Sequence, residues 1–462
     1  MAQATHGWIP VGRIVSGARR RAATTPGRLR LLSLLVAASA SALAVIGAGA
    51  LIAAEVTVTG MEQRTVPSIM GMQRIHAWLA EADRSAANAY LAGGSEVTLP
   101  ELQYQADIAA ASRELQRASE RNPGGGDTSQ RLQAIATSID QYVALIQTAS
   151  VEDRLGLPVG TVYLAAGTSL MHRPGTGILA QVDALRGIYA TRLEQANRTL
   201  RVTMSLAAAY AAVALLVLAL LVRTQRFVRR RFRRRHNRKL QAATLLVVIV
   251  SAASGIGAAE AGGSVRAAED QSYARLLNLW NARALVYDAN GQESLSLIAR
   301  DGAGRAAADE GFATATRSLV DRPLTDELVR DARAGRVGFN GLLADELRAA
   351  GSDRERSAVV RVLEVYRTFL AVDTQVRAQQ AQGNLAAAAQ LALGTDKGQL
   401  TFAFADVDWY LGEVIDMLQG EFDAAMESAE RVIAATTASE LLTLAVAALT
   451  FWGLQPRIDE YL

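Results

Sequence analysis

VTMSLAAAYAAVALLVLALLV-RTQRFVRRRFRRRHNRK-LQAATLLVVIVSAASGIGAA, residues 202–259, places 17 residues carrying nine Arg, one Lys and no acid between two uncharged runs. The left run, 202–222, has 21 residues and the right run, 240–259, has 20. A helix needs about 20 apolar residues to cross the ~30 Å hydrocarbon core of a bilayer. Each run is therefore long enough to span. Lys and Arg beside such spans stay on the cytoplasmic side, so residues 223–239 are predicted to be a short inner loop whose basicity sets the topology.

Working outward, the same alternation continues to both ends. Residues 31–54 form a 24-residue uncharged run, preceded by residues 1–30 with six Arg and no acid. A secretion signal has an apolar stretch of only about 7–15 residues, so 31–54 reads as a retained first span. A fourth span is expected at 437–456, with Glu440 at its outer end and the tail 457–462 beyond it. The segments between, 55–201 and 260–436, are long and mildly to strongly acidic, and fall together on the other side. The expectation is an all-α multi-pass protein of the cell membrane, with both termini cytoplasmic and two extracytoplasmic helical bundles.

Composition excludes several classes. The chain of 462 residues has no Cys and only four His, at His6, His76, His172 and His236. These supply no thiolate site, disulfide or His cluster for a metal. The glycines of GAGA at 47–50 lie inside a span and not between a strand and a helix, so they are no phosphate loop. No catalytic group, metal or cofactor is expected. Nucleic-acid binding is excluded for the Arg cluster, because 17 residues tethered at both ends to a membrane hold no groove-reading fold. Its arginines, Arg229, Arg230, Arg231, Arg233, Arg234 and Arg235, are instead the candidate contacts for anionic lipid and for a cytoplasmic partner. The inner pieces together are too small for a kinase or cyclase. A response must come from a separate protein.

The polar segments read as helical bundles. Gly93 is a natural helix C-cap. Thr98 with Glu101, and Ser352 with Glu355, have the spacing of capping boxes, while Asp127 with Gln130 marks a third helix start. Val359, Val362, Leu363, Tyr366, Phe369 and Leu370 recur at helical spacing. Acids in DRPLTDE (321–327) and DVDWY (406–410) read as solvated.

The segments also resemble each other. WLAEADRSAAN from Trp78 aligns with WNARALVYDAN from Trp280, matching Asn88 to Asn290. Tyr142 precedes Gly160 by 18 residues and Tyr366 precedes Gly383 by 17. This shared order points to an internal duplication, with the matched Trp and Asn serving packing and local hydrogen bonding. Small residues at four-residue spacing, Ala40, Ala44 and Ala48 in one span and Ser251, Gly255, Ala259 and Gly263 in another, allow close helix packing within a bundle or a homodimer.

TTPGRLRLL (Thr24–Leu32) leading into span, bundle, span, Arg-rich loop, span, bundle, span resembles the actinobacterial GlnX family of membrane proteins. The resemblance implies a transducer between an external solute-binding lipoprotein, GlnH, that takes glutamate or aspartate, and a cytosolic Ser/Thr kinase, PknG. It assigns no residues. Two other readings come from the residues themselves. One is a receptor that binds a small molecule directly, with Arg64, Arg74, Arg275 and Arg283 as groups that would meet a carboxylate. The other is a scaffold or transporter accessory subunit without a signalling role.

Overall fold

The computed structural model describes residues 25–93, 97–121, 125–232, 238–267, 273–440 and 442–459. All regular structure among them is helical. The helices are α1 (Thr25–Gly60), α2 (Val66–Ala92), α3 (Leu99–Arg121), α4 (Gly126–Arg154), α5 (Gly160–His172), α6 (Ile178–Phe232), α7 (Arg238–Ala267) and α8 (Ala274–Ile298). The second half continues with α9 (Gly302–Leu319), α10 (Asp326–Arg333), α11 (Leu342–Ala349), α12 (Asp353–Ala381), α13 (Leu385–Leu393), α14 (Leu400–Glu440) and α15 (Thr443–Asp459). A π turn, Met61–Thr65, joins α1 to α2.

Local chemistry explains several ends. Glu355 N–H donates to Ser352 Oγ at 3.2 Å, and the Glu355 carboxylate accepts from Gly351 N–H at 3.0 Å, so the capping box closes as read. Glu101 N–H likewise donates to Thr98 Oγ1 at 3.3 Å, but the Glu101 side chain turns away to Arg154. Gly93 ends α2 at φ +58°, a left-handed conformation that favours glycine. At α4 the cap is Gly125, without a side-chain bond, and Asp127 pairs instead with Arg131 one turn on.

The chain divides into two compact units. Residues 1–60, 195–265 and 426–462 form one, and residues 61–194 and 266–425 form the other. The first, here the apolar unit, packs Val36, Ala40 and Leu43 of α1 with Val217 and Leu221 of α6, Leu240, Ala243 and Val247 of α7 and Val446 of α15. Among the described residues, three helices are long and apolar enough to cross a membrane: one beginning at Arg30, one at Ala209–Arg230 and one at Arg238–Gly263. The expected fourth span is interrupted. α14 ends at Glu440 and α15, beginning at Thr443, has 17 residues. It still packs on α1 within the unit.

Small residues are used on one stripe of α7 and not on the other. Gly257 and Ala261 face inward, and a Cβ built on Gly257 would run into the Thr436 side chain of α14. Gly255, Ala259 and Gly263 are exposed. The Arg-rich stretch is also more helical than a loop. α6 continues through it to Phe232, and the Gln225 amide donates to the Leu240 carbonyl at 3.0 Å and to Thr244 at 2.7 Å. Arg229 and Arg230 are exposed. Arg231 lies on α6, and Arg233, Arg234 and Arg235 lie outside the described residues.

The other, polar unit holds both acidic segments, and it is a single body where the sequence suggested two lobes. α2 packs against α3 and α8 against α9; α4 packs against α5 and α12 against α13; and α2 meets α8 directly. The order α2-α3-α4-α5-α6 is thus repeated as α8-α9-α12-α13-α14, with α10 and α11 inserted in the second copy.

Candidate functional site

The seam where α2 crosses α8 is the polar centre of this unit. The aligned asparagines both sit on it: Ser294 of α8 donates to Asn88 Oδ1, and Arg84 of α2 donates to Asn290 Oδ1 at 3.3 Å. Asn88 and Asn290 are 3% and 2% exposed, so these bonds are made away from water. Gly291 lets the backbones approach, since a Cβ there would lie 3.3 Å from Arg84 Cα. Arg84, buried in turn, donates to Glu81 at 2.5 Å and lies over the Phe404 ring of α14, 4.4 Å from its centroid. Burial works against its charge, and the Glu81 carboxylate outweighs it, raising the guanidinium pKa.

A second cluster spans the same seam. Asp83 of α2 accepts from the Tyr142 hydroxyl at 2.9 Å, from Thr168 at 3.2 Å, and bonds His172 Nε2 at 3.1 Å. The other His172 nitrogen lies 3.8 Å from Asp288 of α8. Burial alone would lower the His172 pKa; the Asp83 bond and charge, then Asp288, reverse this and push it up to about 9. His172 is therefore an imidazolium at neutral pH, flanked by a carboxylate from each half. His76, beside Asp183 at 3.6 Å, is moved the other way, chiefly by burial. Gln73 completes the seam by accepting from Arg186 at 2.7 Å and donating to the Leu277 carbonyl at 3.3 Å.

Of the arginines that sequence reading offered to a carboxylate ligand, three are engaged internally. Arg74 binds Glu114 at 2.7 Å, Arg275 binds Glu346 and Glu355 at 2.5 and 2.8 Å, and Arg283 binds both oxygens of Asp408 at 2.6 and 2.9 Å. Arg64 is exposed on the π turn. Asp408, read as solvated in DVDWY, is half-buried and also accepts from Tyr287 at 2.5 Å. Partners more than a hundred residues away cannot be read from local pattern. Of the aligned pairs, Asn88 and Asn290 were the signal for the seam, Asp83 and His172 gave none.

The two halves differ where α2, α3 and α4 converge. There the first half has a partly open cavity of about 460 Å³. Its floor includes Ala86, Ala89, Ile146 and Leu164, and its polar lining includes Tyr90, Tyr104, Gln147 and Asp153. The Glu101–Arg154 ion pair, at 2.8 Å, stands in the same lining. In the second half the equivalent helices are tied together. Arg377 of α12 bonds Asp373 on its own helix at 2.9 Å and Asp309 of α9 at 2.7 Å. Ser296 of α8 also donates to Asp309, and the Gln380 amide donates to the Ser296 carbonyl, both at 2.9 Å. Nearby, Glu293 is 2% exposed and neither of its carboxyl oxygens has a hydrogen-bond partner among the described residues. Burial, then Asp373, raises its pKa to about 8, so it is protonated at neutral pH.

Residues 57–198 match the family model described as an actinobacterial sensor domain. The match takes in the π turn, α2 to α5 with their cavity, and the start of α6. No curated protein and no solved structure matches the chain. The chain is thus a helical membrane protein with a sensor-type domain on its first polar segment.

Proposed function

We propose that this chain is a transmembrane signal transducer without catalytic activity of its own. The observation that carries the reading is α6. It is one helix of 55 residues that begins in the sensor-matched segment, passes through the second apolar run and ends among the arginines. At 1.5 Å per residue it is about 80 Å long. Helices of this kind transmit by shifts of 1–2 Å against their neighbours. Such a shift carries information only if the input binds the two arrangements unequally.

The input we infer is a solute-binding lipoprotein of GlnH type docking on the polar unit and reporting glutamate or aspartate. The output is a cytosolic Ser/Thr kinase of PknG type, held by the arginines of 223–239, where Arg229 and Arg230 are exposed. The resemblance in chain order to the GlnX family supports this pairing, as does the small size of the basic segments.

Intact cells test it. Photo-crosslinkers on exposed positions of the polar unit should capture a solute-binding lipoprotein, identified by mass spectrometry. Two glycines inserted after Glu194 should keep that capture while kinase output no longer follows the amino acid. Capture of nothing, or output that still tracks the amino acid through the glycine break, would sink the proposal.

A further inference from the structure

The cavity in the first half has a counterpart that explains what it lacks. Counting from the two fully buried tyrosines, Tyr142 and Tyr366, Asp153 and Arg377 stand at the same place, each eleven residues further on. In the second half, the Arg377 guanidinium bridges α12 and α9 by bonding both Asp373 and Asp309. Its carbon 4.2 Å from the Phe312 ring centroid adds a cation–π contact. In the first half the equivalent position presents a carboxylate. Asp153 has no ion-pair partner among the described residues, though Arg300 and Arg154 lie within reach of its charge. The cavity lining then holds two carboxylates, Asp153 and Glu101, against one guanidinium, Arg154, already bonded to Glu101.

We propose that this cavity binds a small organic cation, an aliphatic amine or guanidine, whose charged head sits on the unpaired Asp153 carboxylate. The volume, about 460 Å³, suits a molecule of that size, falling within the roughly 300–1,000 Å³ of ligand pockets. The alkyl part lies along Ala86, Ala89, Ile146 and Leu164. Tyr90 and the Gln147 amide supply oxygens that a second ammonium or guanidinium proton can reach. A dicarboxylate fits poorly, because Asp153 would repel it and Arg154 is held by Glu101. The occupied cavity draws α2, α3 and α4 together as the Arg377 bonds do for α8, α9 and α12. That is how it would alter the sensor-matched segment, independently of any docked lipoprotein.

Calorimetric titration of the full chain in lipid nanodiscs tests this, with agmatine and cadaverine as cationic probes and glutarate as an anion of similar size. Saturable binding of at least one cation at millimolar concentration is expected, with glutarate silent. Asp153→Asn should weaken that binding by about tenfold or more, the loss of one charge-assisted contact. Asp153→Arg should abolish it while keeping or raising the melting temperature, since the new side chain takes the ligand's place. No binding by either cation, equal binding by glutarate, or a cation affinity unchanged by both substitutions would overturn the site. The readout is binding and not kinase output, so it fails or stands separately from the relay proposed above.

Discussion

The two halves of the polar unit share an order of helices and differ in what fills them. In the first, helix ends near α4 leave a cavity with a carboxylate at its wall. In the second, Arg377, Asp309, Asp373 and Ser296 close the same place with the chain's own charges. The difference teaches that the duplicated fold does not require an opening there. Each copy has one arginine bridging these helices, Arg154 to Glu101 in the first and Arg377 to Asp309 in the second, and the first has in addition a carboxylate, Asp153, without an ion-pair partner among the described residues. Where the copies touch, by contrast, they use matching residues, Asn88 and Asn290.

The largest effect is expected at the seam they share. Arg84→Ala removes the cation that compensates Glu81 and bonds Asn290, leaving a buried carboxylate alone. The expected loss is about 3–5 kcal/mol of unfolding free energy, measured by denaturant titration. A loss under about 1 kcal/mol would mean that the seam is wet and not a core.

The next separates the halves. Arg377→Ala strands Asp373, which is 4% exposed, beside the protonated Glu293, and should cost about 3 kcal/mol. Asp153→Ala, at the same place in the first half, should move stability by no more than about 0.5 kcal/mol. Equal costs would erase the contrast between a braced and an open copy.

His172 gives a pH-dependent version. Its folded pKa, about 9, lies above the ordinary 6.5, so its contribution is complete below pH 6.5 and is lost as pH rises through 9. The groups facing it are Asp83, Asp288 and, more weakly, the imidazole of His76. Between pH 7 and 10 the polar unit should lose stability on the order of 2 kcal/mol, and His172→Gln should flatten that slope. The smallest effect is at the matched pair. Asn88→Ala, which leaves the Ser294 hydroxyl only its longer bond to the Asn290 carbonyl, should cost about 1–2 kcal/mol, as should Asn290→Ala.

What was legible in the sequence follows the range of the forces involved. The capping box at Ser352–Glu355 and the stop at Gly93 depend on neighbours three or four residues away, and both appear where the sequence put them. The apolar runs were legible because span length is a property of one helix. The repeat was legible at Trp78 and Trp280, and it pointed to Asn88 and Asn290 as hydrogen-bonding residues, though not to each other's half as the place they bond. Arg74, Arg275 and Arg283, offered in one reading to the carboxylate of a ligand, meet those of Glu114, Glu346 and Asp408, which come from other helices and could not be paired with them by local spacing. The cavity could not be seen at all. Its lining comes from four helices, α2 to α5, brought together only by the fold.

The π turn at Met61–Thr65 comes immediately before α2. A π turn holds about one residue more than an α turn, and one residue is worth about 100° of rotation in a helix. Met61–Thr65 is thus a place where the helical path takes up one residue, and the rotation that goes with it, without ending.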